Sequence, residues 1–230
     1  SYHLANLYNE IAERGHNVTV LGGKCLQSLP DLEDGVSAKI EVDPVEFGYR
    51  KGYYVLYPAS LWNKLRGMDI EEYDVAITHT PLPYRIPELN LVTKYHDCID
   101  RTRPYVRKNL SLFGKFGDSV LHPARKLINW RSIHLTDYAI FNSEINKTGW
   151  MENYPSEVPY SVIHNGVDTC LFNPVNNENE NYVLFVGDTE QKGLSAVISY
   201  ADKRERPVHI VGANKITHDN VINHGRVTQD

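Results

Sequence analysis

Tyr160-Ser-Val-Ile-His-Asn-Gly-Val-Asp168, then Phe172-Asn-Pro174, Asn181-Tyr-Val-Leu-Phe-Val-Gly187 and Asp188-Thr-Glu-Gln-Lys-Gly193, decide how this chain is organised. An apolar strand ends in Asn165-Gly166, a pair suited to a turn because glycine tolerates positive φ. Phe172 and Pro174 close a connector, and the polar run from Asn176 to Asn181 reads as a linker tip. A second buried-type strand begins at Tyr182, and Gly187 opens a loop leading into a helix. One α/β domain hands over to another at this point. Residues 1–174 are expected to form a first Rossmann-like domain, and residues 175–230 the beginning of a second.

The residues upstream repeat that alternation. Leu4, Leu7, Tyr8, Ile11 and Ala12 recur at helical spacing behind Ser1 as N-cap, and Gly15 ends the helix. Val18–Leu21 reads as a strand ending at Gly22-Gly23, and residues 38–45 as another with Pro44 at its end. Pro58–Met68 reads as a short helix, and Asp74–Thr78 and Leu89–Tyr95 as strands. A polar, aromatic loop over residues 98–116 is expected before an amphipathic helix from Ser119 to Leu135. Tyr138–Phe141 is the next strand, and Asn142-Ser143-Glu144 caps a helix running to Tyr154. Beyond Gly187 the pattern gives one helix, Gln191 to Arg204, and one strand, Val208–Val211. Such alternation predicts an α/β fold with a doubly wound parallel sheet. A sheet of this kind normally starts with a strand and a glycine-rich turn. This chain opens on the helix, so the first strand is expected upstream of Ser1. Two strands and a helix cannot enclose a core, so the second domain is expected to continue past Asp230.

Composition narrows the function. With 41% hydrophobic and 23% charged residues and a net charge of −5, the chain is an ordinary globular sequence without the basic field of a nucleic-acid binder. It has neither a run of about 18 apolar residues nor a recognisable signal peptide, so a cytoplasmic location is expected. Cys25, Cys98 and Cys170 are far apart and show no metal-ligand spacing. Nothing in the pattern fixes an oligomeric state.

Several polar residues fall where ligands sit in open α/β sheets, at the carboxyl ends of strands. His96 and Asp97 end one strand, and His79 and Thr80 end the preceding one. Asn142 and Ser143 end a third, where N-capping of the next helix would also account for them. Lys192 lies in a glycine-bounded loop before a helix, where a cation and backbone amides can neutralise a diphosphate; a solvated loop lysine is the alternative. Arg101, Arg103, Arg107, Lys108 and Lys115 are interleaved with Tyr105 and Phe113. That segment is suited to an acidic acceptor or to peripheral contact with a membrane surface, or is a solvated loop.

The order Arg14-Gly-His-x-Val-Thr-Val20, Asn165-Gly-Val-Asp168 with Phe172 and Pro174, Phe185-Val-Gly187 and Lys192-Gly193 resembles the GT-B glycosyltransferases of family 4. The resemblance implies transfer of a sugar from a nucleotide-sugar donor to a glycan, lipid or small-molecule acceptor, with retention of configuration and without cofactor or metal. It implies that His96 touches the transferred sugar as the catalytic residue, and that Gly187, Lys192, Gly193 and Asn165 serve the donor. His79, Asp97, Asn142 and Ser143 fall on the acceptor side or cleft, and Asp168 fixes the connector. Two departures stand out. Asp188 occupies the place of an arginine beside the diphosphate, in a loop one residue shorter, and the family's donor-binding glutamates would lie beyond Asp230. A degenerate GT-B-like protein that binds a glycan or nucleotide, or a non-catalytic subunit, is the alternative; a GT-B-like epimerase or phosphorylase is a third reading.

Overall fold

The computed structural model describes residues 2–25, 36–48, 53–108, 110–167, 169–170, 181–187, 192–204, 206–212, 216–225 and 227. Ser1, Asp168, Phe172, Pro174, Asp188 and most of the asparagine-rich run lie outside them. The chain divides into two compact units, Ser1–Cys98 with Asp118–Asp168, and Ile99–Gly117 with Thr169–Asp230.

The first unit opens with α1 (Tyr2–Glu13) and β1 (Val18–Cys25). Gly15 ends the helix at φ +93°, with His16 N–H bonded to Ile11 O and Gly15 N–H to Ala12 O, the paired closure that an αL glycine permits. β1 does not stop at Gly22-Gly23 but runs on, paired in parallel with β2 (Ile40–Phe47). Gly23 is needed inside the strand, since a Cβ there would stand 3.0 Å from the Tyr57 ring. Pro44 sits within β2 rather than at its end. Its only described sheet neighbour is β1, and an edge strand tolerates the missing N–H.

Helix α2 (Tyr53–Leu65) begins a turn before Pro58, which lies inside it; the proline is a poor marker of this start. Tyr57, Leu61 and Leu65 recur at i, i+4 and i+8 and pack on Val45, Phe47, Leu82 and Leu91. A single 3₁₀ turn (Ile70–Glu72) leads into β3 (Val75–Thr78) and β4 (Asn90–Tyr95). β5 (Tyr138–Phe141) and β6 (Tyr160–Val162) complete a four-stranded parallel sheet of order β3-β4-β5-β6. Trp150, on α5 (Glu144–Asn153), is 2% exposed and joins Tyr95, Ile133 and Phe141 in the core on that sheet.

The expected loop over residues 98–116 is instead helical: α3 (Ile99–Lys108) is followed by α4 (Leu112–Leu135), which starts well before Ser119. In the second unit β7 (Val183–Val186), β8 (Val208–Val211) and β9 (Val221–Gly225) form a parallel sheet carrying α6 (Leu194–Arg204). β9 was not legible in the sequence. Ala201, Val208 and Ile210 are its buried centre.

Candidate functional site

Sheet order explains the clustering in the first unit. Adjacent parallel strands β3, β4 and β5 all end at one edge, so His79, His96 with Asp97, and Asn142 with Ser143 are delivered side by side. His79 Nδ1 lies 2.8 Å from His96 Nε2, with the rings stacked 5.1 Å apart at 28°. On the other side of His79, Nε2 is 2.7 Å from the hydroxyl of Tyr8 on α1. Burial pushes the Tyr8 phenol up to about 12, so it stays neutral at physiological pH. The three groups form a chain of hydrogen bonds with two consistent directions. When Tyr8 donates to His79, His79 donates to His96; when His96 donates, His79 donates to Tyr8.

His96 is also held through its backbone. Asn142 Nδ2 donates to His96 O at 2.7 Å, and Asn146 Nδ2 donates to Tyr95 O at 2.6 Å and to Asn142 Oδ1 at 3.0 Å. Ser143 is the N-cap of α5, its Oγ accepting from Asn146 N at 3.2 Å. Asn142 and Ser143 therefore both hold the scaffold beneath the histidine pair. Thr80, next to His79, is fixed by the Tyr53 hydroxyl at 2.6 Å.

Asp97 is anchored by Trp150 Nε1, which donates to its carbonyl at 2.8 Å. Although Asp97 is exposed as a residue, its carboxyl is crowded on the protein side, and desolvation raises its pKa above the usual carboxylate value. Tyr54 on α2 is pushed up to about 12, first by burial and then by the Asp97 charge, with Arg125 on α4 opposing. Tyr54, Asp97 and Arg125 thus lie within electrostatic reach of one another. Arg125 is in turn paired with Asp118 at 2.6 Å. Lys94, on β4 two residues before His96, is 6% exposed, and burial lowers its pKa.

Asn165 and Gly166 follow β6 on the exposed surface, and β6 stops at Val162. Gly166 does not take the positive φ expected of the turn pair, and a Cβ there would meet nothing. In the second unit, Gly187 stands at φ +145° at the end of β7, its N–H bonded to Val211 O at 2.9 Å. The Lys192 stem lies against it: a Cβ on Gly187 would come 2.7 Å from Lys192 Cδ. Gly193, at φ +91°, starts α6 by accepting from Ala196 N and Val197 N through its carbonyl. Of the expected Gly-loop-Lys-Gly arrangement, the described residues are Gly187 and Gly193, both at positive φ, and an exposed lysine whose stem lies against Gly187.

Sequence reasoning missed Tyr8, Tyr54 and Asn146. Tyr8 sits in a helical position that reads as packing, and only the fold brings it to His79. Lys94 did carry a signal, a lysine inside an otherwise apolar strand. Among the described residues, no three His, Cys, Asp or Glu side chains gather as a metal site, and no helix is long and apolar enough to cross a membrane.

This architecture is the GT-B type of α/β fold, with Rossmann-like parallel sheets. Residues 1–170 match the family model described as Glycosyltransferase Family 4, and the chain belongs to that family. Among solved structures it is similar to Anabaena Alr3699/HepE in complex with UDP and glucose, with a TM-score of 0.54 at 15% identity, covering 99% of this chain and 65% of that one. It is equally similar to Alr3699/HepE in complex with UDP-glucose, with a TM-score of 0.55 at 15% identity and coverage of 100% and 66%. The chain therefore spans just under two thirds of that protein's length. No curated protein sequence matches it.

Proposed function

We propose that this chain is the acceptor-side domain and the opening of the donor-side domain of a glycosyltransferase that uses a nucleotide sugar. Residues 1–174 would serve the acceptor and residues 175–230 the nucleotide sugar. The observation that carries this reading is the hydrogen-bonded pair His79–His96 at the carboxyl edge of the sheet, within the region that matches family 4. His96 is oriented twice, by its ring contact to His79 and by the Asn142 clamp on its carbonyl. An imidazole so fixed can hydrogen-bond a sugar hydroxyl or steady developing charge in the transition state without reorganising. Asp97, with its raised pKa, sits at the same strand end and suits a hydroxyl-bearing ligand. Lys192 over Gly187 supplies the cation for the leaving diphosphate.

UDP-glucose, bound by Alr3699/HepE, is the first donor to test. The reaction is proposed to retain anomeric configuration and to need no metal. The full-length protein should release UDP from UDP-glucose when offered a panel of glycan, lipid and small-molecule acceptors. NMR of the product should show the α-configuration of the donor, and turnover should survive EDTA. Absence of turnover with every nucleotide sugar, alongside intact nucleotide binding, would favour a binding protein of the same fold. Inversion, or loss of turnover in EDTA, would refute the finer claims separately.

A further inference from the structure

The segment read from the sequence as a basic, aromatic loop carries two helical pieces, and four of its large apolar side chains are exposed. Leu112 is 84% exposed, Phe113 91%, Phe116 71% and Tyr105 66%. Leu112, Phe113 and Phe116 open α4 at positions i, i+1 and i+4, which places them within an arc of roughly 100° on one face of the helix. The five basic residues of this stretch, Arg101 through Lys115, are set against a single acid, Asp100, although the whole chain has a net charge of −5. A solvated loop does not need two almost fully exposed phenylalanines, and a buried core would not take this density of arginine and lysine.

We infer that residues 99–117 dock the protein onto an anionic lipid bilayer, the apolar side chains of α4 entering the headgroup boundary and the basic residues meeting lipid phosphates. The two components are those of an interfacial amphipathic segment: apolar side chains give depth, and cationic ones give selectivity for anionic lipid. A second copy of the chain is the poorer occupant. A two-fold contact through this face would set the same excess of positive charge against itself. The inference does not depend on the sugar-transfer reading.

Co-sedimentation of the full-length protein with vesicles tests it. Equimolar phosphatidylcholine and phosphatidylglycerol should pellet the protein, and phosphatidylcholine alone should not. About 0.5 M salt should weaken the binding sharply, because it screens the surface charge. Phe113→Ser with Phe116→Ser should weaken binding by an order of magnitude or more, and Arg107→Glu with Lys108→Glu by about as much. Phe113, Phe116 and Lys108 are exposed and Arg107 is half-buried, and circular dichroism checks that both variants fold as the parent. Failure to bind anionic vesicles, or undiminished binding by both folded variants, would overturn the inference. A concentration-dependent dimer in light scattering, lost in the phenylalanine variant without vesicle binding, would overturn it in favour of self-association.

Discussion

Asn146→Ala tests the clamp beneath the histidine pair. The change removes the donor of two hydrogen bonds, to Tyr95 O at 2.6 Å and to Asn142 Oδ1 at 3.0 Å. Each abandoned buried acceptor costs about 1–1.5 kcal/mol. Against this, Asn146 Oδ1 is buried without a partner among the described residues, and its removal returns about 1 kcal/mol. Alanine's better helix propensity returns roughly another 0.5 kcal/mol. The expected net loss is about 1 kcal/mol, read as a lower urea midpoint at unchanged m-value. Asn146→Asp separates this account from simple cavity formation. It puts a carboxylate oxygen where Nδ2 stood, facing two oxygens in a buried site, and should cost about 3 kcal/mol or more at neutral pH. If Asp were no worse than Ala, or if Ala were stabilising, the clamp as described would be wrong.

Tyr8→Phe removes one end of the hydrogen-bond chain at 2.7 Å and should lower kcat/KM about tenfold. It should also alter the pH–rate profile, which a purely packing role would leave in place. Lys192→Ala should weaken UDP binding by calorimetry about tenfold without changing the unfolding midpoint. Gly187→Ala should lower both affinity and stability, because φ +145° strains any Cβ-bearing residue and the new methyl displaces the Lys192 stem, at a cost of about 1–2 kcal/mol. Asp97 has a folded-state pKa raised by desolvation, so the folded state binds more protons than the unfolded state above the ordinary value of 3.8. Its contribution to stability therefore falls as pH rises through that window and stays lower above it. Asp97→Asn should be the more stable protein at neutral pH, with the difference closing as pH drops into the carboxylate range; the opposite trend in thermal scans would contradict the assignment.

Much of the frame was legible because local chemistry and tertiary structure agree. Gly15 closes α1 and Ser143 caps α5 as their sequence neighbours predict, and the apolar strands β3, β4 and β5 lie near their expected positions. The misreadings have physical causes. Helix α3 carries Pro104 and α4 begins with an apolar face that is exposed, so neither shows the periodicity that burial imposes on a helix. β1 passes through Gly22-Gly23 because Tyr57 needs the space a side chain would fill, which a turn-based reading of glycine cannot anticipate. β9, Val221-Ile-Asn-His-Gly225, has too few apolar residues to announce itself and is recruited by pairing with β8.

The same contrast holds at the site. His79 was marked by its strand-end position, and His96 by that position and by the family resemblance, but Tyr8 is 71 residues from His79 in sequence and enters only through the fold. Asn142, which the sequence left between facing a ligand and capping the next helix, donates to the backbone of His96. Position at a strand end shows where a residue is delivered; the hydrogen bonds show which of those residues are already committed.

The most direct test of the central claim is kcat/KM of His96→Ala for sugar transfer, measured beside its UDP affinity in the full-length protein. The account predicts loss of turnover by about two orders of magnitude or more, with UDP affinity nearly unchanged. Full turnover in a folded His96→Ala variant would contradict it.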